Sequence, residues 1–380
     1  MIQDNLVLEP IRRISPSRYT AMRTCLLREA WTAAGNEPPL PPSPLAELGT
    51  IIHELLGAAG RGEFENGSGD KIQRMWLDLI SQAEKRMELS AQRRHQVPLV
   101  RSIPDYEVRR LRACNRALEI SGVAVRGHVG RPRQGPMHSG FEMWVESHDG
   151  RIGGYIDRAK KTPEGIVLSD YKSGSVMLPG KCAGPGTVRR AYKEQLILYA
   201  ALYQLKFGLW PVRLELVPLQ GVPVAVSYDI CEAQRLLTEA DELLRNANHR
   251  IAEVESRRRG IVVLASPCVE NCRLCLFRPA CQAYWHARTQ GAQAKWPADV
   301  KGMVEEKTRL SNGKVCMRIR QSDLPTPSHI TVRNLTDGFV RHSLLAKAQP
   351  GAKVALYGLN HDYHSGDYKE TQNTVVFVAD

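Results

Sequence analysis

Gly154-Tyr-Ile-Asp157-Arg158 and, a short way downstream, Ser169-Asp170-Tyr171-Lys172-Ser173-Gly174 decide how this chain is read. From Phe141 the apolar spacing changes from helical to alternating, so Phe141 to Glu146, Gly150 to Arg158 and Gly165 to Tyr171 read as three short antiparallel strands. Each acid is expected to close its strand. A hairpin then brings Asp157 and Asp170 to one edge, where two carboxylates offer the hard oxygen donors that Mg²⁺ or Mn²⁺ takes. Lys172 stands two residues beyond Asp170 and therefore on the same strand face. An ammonium there orients an attacking water and offsets charge growing on a phosphate, which suits metal-assisted phosphodiester hydrolysis.

An acid or an Asp-x-Lys alone is more often a surface pair, so the surrounding pattern carries weight. Leu48-Gly-Thr-Ile-Ile-His53-Glu-Leu-Leu56 reads as a helix with a histidine on a largely apolar face. Gln195-Leu-Ile-Leu-Tyr199 puts two polar groups one helical turn apart, and Glu142 falls early in the first strand. A core histidine and a buried tyrosine are the ordinary alternatives.

Helix flanks these strands on both sides. A short helix is expected from about Ser17 with Cys25 inside it, then a loop over the five prolines of residues 35–45, and helix again from Ala46. Helical patterns cover Lys71 to Arg94, Asp105 to Ile120, Arg190 to Phe207 and Ala233 to Arg258, with strands at Val212 to Pro218 and Val222 to Tyr228. The order describes an α/β fold, a mixed sheet flanked by helices. After a linker at Gln290 to Pro297 come five strand patterns, Val300 to Arg309, Lys314 to Arg320, Ile330 to Leu335, Lys353 to Leu359 and Thr374 to Ala379, with a helical stretch at Gly338 to Ala348. Five strands with a helix between the third and fourth suggest a second, all-β domain like an OB-fold, spanning 291–380 after a first domain of 1–290.

The chain has 380 residues, 43% of them hydrophobic, and a net charge of +12, a globular composition that favours polyanionic partners. Residues 85–133, within a helical insertion over about 60–135, hold twelve Lys and Arg against four acids, which suits contact with phosphates. No apolar run approaches the roughly 20 residues that cross a bilayer, no secretory signal is visible, and a cytoplasmic location is expected. No Gly-x-x-x-x-Gly-Lys-[Ser/Thr] occurs, so a phosphate-cradling NTPase loop is not encoded here.

Nine cysteines are present, four of them at 268, 272, 275 and 281. In a reducing compartment such a run points to a metal or iron–sulfur site. Thiolates suit both Fe–S and Zn²⁺, and Cys268 with Cys272, Cys275 and Cys281 would form a local zinc site. Cys114, Cys182, Cys231 and Cys316 read as ordinary thiols.

Together His53, Asp157, Asp170-Tyr171-Lys172 and Gln195-x-x-x-Tyr199 resemble, over residues 15–285, the RecB-type branch of the PD-(D/E)xK nucleases, which includes the AddB nuclease domain and the CRISPR-associated adaptation nucleases. The resemblance implies a restriction-endonuclease-like fold and a Mg²⁺- or Mn²⁺-dependent deoxyribonuclease, exonuclease or endonuclease, acting on single-stranded or end-containing DNA in repair, recombination or defence. It implies Asp157 and Asp170 as metal ligands, His53 as a third, the Tyr171 carbonyl as a further oxygen, Lys172 as the catalytic lysine, and Gln195 and Tyr199 as substrate positioners. Cys272-x2-Cys275-x5-Cys281 with distant Cys25 looks like the 4Fe-4S staple of clustered members. The long basic helices after His53 depart from the family pattern and leave the substrate path open. A helicase or another repair or defence protein is an implied partner, and a non-catalytic DNA-binding scaffold is the competing reading. Tyr357, Tyr363, Tyr368, Lys353, Arg333 and Arg341 are expected to grip nucleic acid in the second domain.

Overall fold

The computed structural model describes residues 6–64, 69–90, 92–127, 138–178, 186–290, 295–321, 328–337, 342, 344–362 and 364–379. The chain opens with α1 (Pro16–Thr24) and α2 (Leu26–Ala33), separated by Cys25, whose extended backbone (φ −156°, ψ 102°) breaks the helix expected to run through it. The proline loop ends in α3 (Pro44–Gly60), where Ser43 caps the first turn and Pro44 supplies a φ already helical. Next come α4 (Gly69–Leu89), α5 (Leu99–Ser102) and α6 (Tyr106–Gly127). The helix anticipated to Arg94 stops at Leu89, and Arg94–Gln96 form a separate 3₁₀ turn.

The sheet follows: β1 (Gly140–Glu146), β2 (Gly153–Thr162), β3 (Gly165–Lys172), then the small ribbon β4 (Met177–Leu178) with β5 (Thr187–Val188), the crossover α7 (Arg190–Phe207), β6 (Arg213–Pro218) and β7 (Val224–Val226). Its five strands lie in the order β1-β2-β3-β6-β7. Only β3 and β6 run parallel, because α7 carries the chain across between them. The mixed α/β sheet is thus as read from the periodicity.

Helices cover both faces. One core joins α1, α2, α7 and α8 (Ile230–Glu255) to the sheet through Leu168, Leu196, Leu198, Leu214, Leu216 and Leu244. The other packs α3, α4 and α6 against Tyr171 and Val217. Every residue from Glu194 to Tyr203 is buried, so α7 is enclosed on all sides, as a helix apolar around its circumference must be. Helix α3 approaches β1 closely through Gly57 and Gly60. A Cβ on Gly60 would fall 2.0 Å from the Phe141 ring. Gly60→Ala should therefore destabilise the fold by about 1–3 kcal/mol through overpacking, read as a lower denaturation midpoint. An unchanged midpoint would mean that Phe141 is free to leave.

Beyond α9 (Val269–Arg273) and α10 (Gln282–Gln290) lies a second sheet, built from β8 (Val300–Arg309), β9 (Val315–Gln321), β10 (Ser328–Leu335), β11 (Lys353–Tyr357), β12 (Asn360–His361), β13 (Tyr368–Lys369) and β14 (Val375–Ala379). All five expected strands are present as β10-β9-β8-β11-β14, and β13 and β12 extend the β10 edge. No β10–β14 ladder closes it among the described residues, which leaves a half-barrel. Of the helix expected at Gly338 to Ala348, the described part is the single 3₁₀ turn Leu345–Lys347. Beyond the junction at Gln290 to Pro297, Asp299 ties the second sheet back to Arg278 and Tyr284. Asp299, fully buried, accepts from Arg278 Nε (2.7 Å), Tyr284 Oη (2.8 Å) and Gly358 N (2.9 Å). No described helix is long and apolar enough to cross a membrane.

Candidate active site

The β2–β3 ladder runs from Thr162↔Gly165 to Arg158↔Ser169 and stops there, so Asp157 and Asp170 are the first residues beyond the last rung. Asp157 lies within β2 and not at its end, as the sequence had suggested; the freed edge comes from the strands parting, not from the strand ending. Tyr171 N donates to Asp157 Oδ2 at 2.7 Å, and His53 Nδ1 stands 3.8 Å from the same oxygen. Asp170 is nearly fully buried. Its Oδ1 accepts from Gln195 Nε2 (2.7 Å), while Lys172 Nζ lies 2.7 Å from Oδ2 and donates to Gln195 Oε1 (3.0 Å). Lys172 also sits 4.5 Å above the Tyr192 ring, an aromatic support that only the tertiary fold reveals.

Burial raises both carboxyl pKa values, Asp157 to about 7, where the neighbouring Asp170 adds to the rise and the Tyr171 amide and Lys172 oppose it. Burial likewise lowers His53, which is held neutral and able to ligate. Tyr199 is pushed up by burial and by the two aspartates. Its hydroxyl explains Gly154, since a Cβ there would lie 2.9 Å from it.

A cleft of about 350 Å³ opens over this group, lined by His53, Gly57, Glu142, Tyr155, Asp157 and Tyr171. Glu142 takes a left-handed backbone (φ 47°) between the paired Phe141 and Met143, opposite Asp157, and forms an ion pair with Arg61. The structure thus gathers His53, Asp157, Asp170, Tyr171, Lys172, Gln195 and Tyr199 in one place. It adds Tyr155, which its position two residues before Asp157 on the same strand face would have signalled. The donors are hard oxygens and one imidazole, a set suited to a divalent cation, and relief of the two crowded carboxylates is what such an ion would provide. Among the described residues, however, no three His, Cys, Asp or Glu side chains already form a metal cage, and Lys172 and Gln195 occupy the Asp170 oxygens.

The cysteines divide. Asn271 Nδ2 donates to Thr24 O at 2.8 Å, which ties α9 to the residue before Cys25. Cys25, Cys275 and Cys281 all raise the pKa of Cys272, which burial has already pushed up, to about 12; burial takes Cys281 to about 11. Cys268 does something else, its Sγ accepting from Asn271 N at 3.4 Å as the cap of α9. Cys114 is buried, Cys231 exposed and Cys316 half-buried, all free thiols, and Cys182 lies outside the described residues.

Other expectations are revised. Of the basic run, Arg86 and Arg93 pair with Glu47, Arg110 with Glu107, Arg116 with Glu119, and Arg109 donates to Pro104 O. Lys85, Arg94, Arg101 and Arg112 remain exposed for phosphates. In the second domain Tyr357 is buried between Trp285 and Phe377 and so is lost to base stacking, while Tyr368 packs on His361 half-buried and Arg333, exposed, pairs with Asp367. Lys353 is exposed, and Tyr363 and Arg341 lie outside the described residues.

No curated protein matches the sequence. The family model of the PD-(D/E)XK nuclease superfamily matches residues 13–282. That span holds the splayed strands, both aspartates, Lys172 and the crossover helix that supplies Gln195, and the chain belongs to this superfamily.

Proposed function

We propose that the protein is a divalent-metal-dependent DNA nuclease of the RecB type, and the observation that carries this is the pair of crowded carboxylates, Asp157 and Asp170, beside Lys172 at the foot of the cleft. Asp157, Asp170, His53 and the Tyr171 carbonyl would hold Mg²⁺ or Mn²⁺. When bound, that ion supplies Lewis acidity at the phosphate and an acidified water. Lys172 offsets charge on the phosphate, Gln195 fixes both Lys172 and Asp170, and Tyr199 closes the floor. Exposed Lys85, Arg94, Arg101 and Arg112 add attraction for the DNA backbone.

Incubation with end-labelled single- and double-stranded DNA, with and without Mn²⁺, tests the reading and maps the product ends. Cleavage should need the metal and fall about 100-fold or more in Lys172→Ala. Metal-independent cleavage, or full activity in Lys172→Ala, would remove the assignment.

The thiols Cys25, Cys272, Cys275 and Cys281 support a structural 4Fe-4S cluster, because Cys268 is engaged as a helix cap while Cys25 lies within electrostatic reach of the other three. Protein purified without oxygen should be brown and should bleach in Cys25→Ser. A colourless protein with one zinc, indifferent to Cys25→Ser but emptied by Cys268→Ser, would establish the local zinc site instead. The half-barrel, with the strand content of an OB-like unit, is assigned to holding DNA or a helicase, repair or defence partner.

A further inference from the structure

We infer that Trp144 and Tyr155 form a nucleobase-stacking subsite at the mouth of the cleft, so that the strand entering the site is unpaired next to the phosphate that is cut. The inference rests on the nuclease reading and deepens it. Trp144 and Tyr155 are direct cross-strand partners on β1 and β2, with ring centroids 4.8 Å apart at 65°. The same face carries Asp157 two residues beyond Tyr155, about 6.6 Å along the strand. Glu142, opposite Asp157, lines the same cleft. The ledge is therefore continuous with the cleft, and Tyr155 lines both.

Trp144 is fixed from several directions. Gly153, opposite Glu146 on the ladder, leaves room for both Glu146 and the indole, since a Cβ there would lie 2.8 Å from the Glu146 Cβ and 3.2 Å from the Trp144 ring. The guanidinium of Arg13 lies 4.7 Å above the indole and is itself held by Gly150 O (2.7 Å) and Glu146 (3.2 Å). Lys206 Nζ donates to the Trp144 carbonyl at 2.6 Å. Tyr155 meets Trp144 edge to face and leaves 59% of its surface in water. A held aromatic whose partner ring is open costs hydration without adding to either core, and it stands where a polar side chain would serve solubility better.

The occupant follows from position and charge. A ligand that reaches both the carboxylates and the ledge carries a phosphate at one end and a flat apolar ring about one residue pair away. An unpaired nucleotide has both parts. In a duplex the base faces are covered by their neighbours, so only a single strand, a gap or a frayed end presents one to Tyr155.

The test uses full-length protein carrying Asp170→Asn to prevent cleavage, and single-stranded oligonucleotides with 2-aminopurine placed at successive positions. One position should be quenched on binding, and the quench should disappear in Tyr155→Ala and persist in Tyr155→Phe. In cleavage assays with Asp170 intact, Tyr155→Ala should raise KM for single strands about ten-fold or more, with the loss in KM and not in kcat, and should make an abasic nucleotide at the quenched position harmless. No quenched position, or the same quench and KM in Tyr155→Ala, overturns the subsite. If Tyr155→Ala does not fold, the 2-aminopurine scan with Tyr155 present still decides. Cleavage by Asp170→Asn at the parent rate would instead sink the nuclease reading, while the binding scan continues to judge the ledge on its own.

Discussion

Asp170→Asn is expected to abolish cleavage while raising the stability of the metal-free protein. An Asn keeps the acceptor for Gln195 Nε2 but removes the charge, and with it a ligand that acts on the transition state; a loss of about 10³-fold or more follows. Affinity for DNA, set largely by Lys and Arg contacts, should change little. Stability moves the other way because burial, outweighing the ion pair of Asp170 with Lys172, holds Asp157 and Asp170 with raised pKa values in the folded protein. For such an acid the penalty is absent below the ordinary value of 3.8 and complete above the folded value, about 7 for Asp157. The metal-free parent should therefore lose stability as pH rises from 4 towards 7, by roughly 1–3 kcal/mol, and Asp170→Asn should flatten that slope. Melting curves in chelator across this range provide the check. Parallel slopes for parent and variant would show that the two carboxyls are not under strain.

Asp299→Ala should be the most damaging single change outside the cleft. It strips partners from Arg278, from the Tyr284 hydroxyl and from the Gly358 amide at once. Removing one member of a buried ion pair costs about 3–5 kcal/mol, because the other charge stays in a site without water. Arg278 also donates to the carbonyls of Cys272 (3.2 Å), Arg273 (3.4 Å) and Cys275 (2.7 Å). The damage should thus reach the cysteine loop, with faster labelling of Cys272 and Cys275 by thiol reagents. Adding Arg278→Met should recover part of the loss, since an apolar pair has no orphaned charge. A denaturation midpoint within error of the parent would show that Asp299 holds nothing together. By the same argument, truncation after Gly291 deprives the nuclease domain of Asp299 and should lower its stability.

Much of the catalytic half was legible before any coordinates. Alternation placed β1, β2 and β3, because a strand buried on one face writes its period into the sequence, and the helical pattern over Arg190 to Phe207 placed α7. Asp157, Asp170 and Lys172 were singled out because spacing along a strand determines which side chains share a face, whereas His53 and Gln195 were picked out by the family resemblance. What spacing does not encode is where two strands part. Asp157 therefore seemed to end a strand that in fact runs on to Thr162. Cys25 looked helical because its neighbours are, and only its place beside the distant cysteine loop accounts for the extended backbone. Asp299 and Tyr357 gave no local sign of burial, since their partners are set by how the half-barrel seats on α10. The left-handed backbone at Glu142 was equally silent, as a glutamate carries no mark of a conformation imposed by its neighbours.

The Cys25 break between α1 and α2 has a consequence for how the chain is made. Its neighbour Thr24 bonds to Asn271 across 247 residues, and Ile11 is held by Asn248 across 237. At a translation rate of about 5–20 residues per second, Thr24 waits roughly 12–50 s for Asn271 to be made, long after α7, against which α1 packs, has appeared. During that interval Trp31, buried in the finished protein, lacks the Phe277 ring on which it packs. The nuclease domain is thus completed by closing a ring, α2 being sealed by some of the last residues of that domain. Until then α2 stays open to proteases and to aggregation.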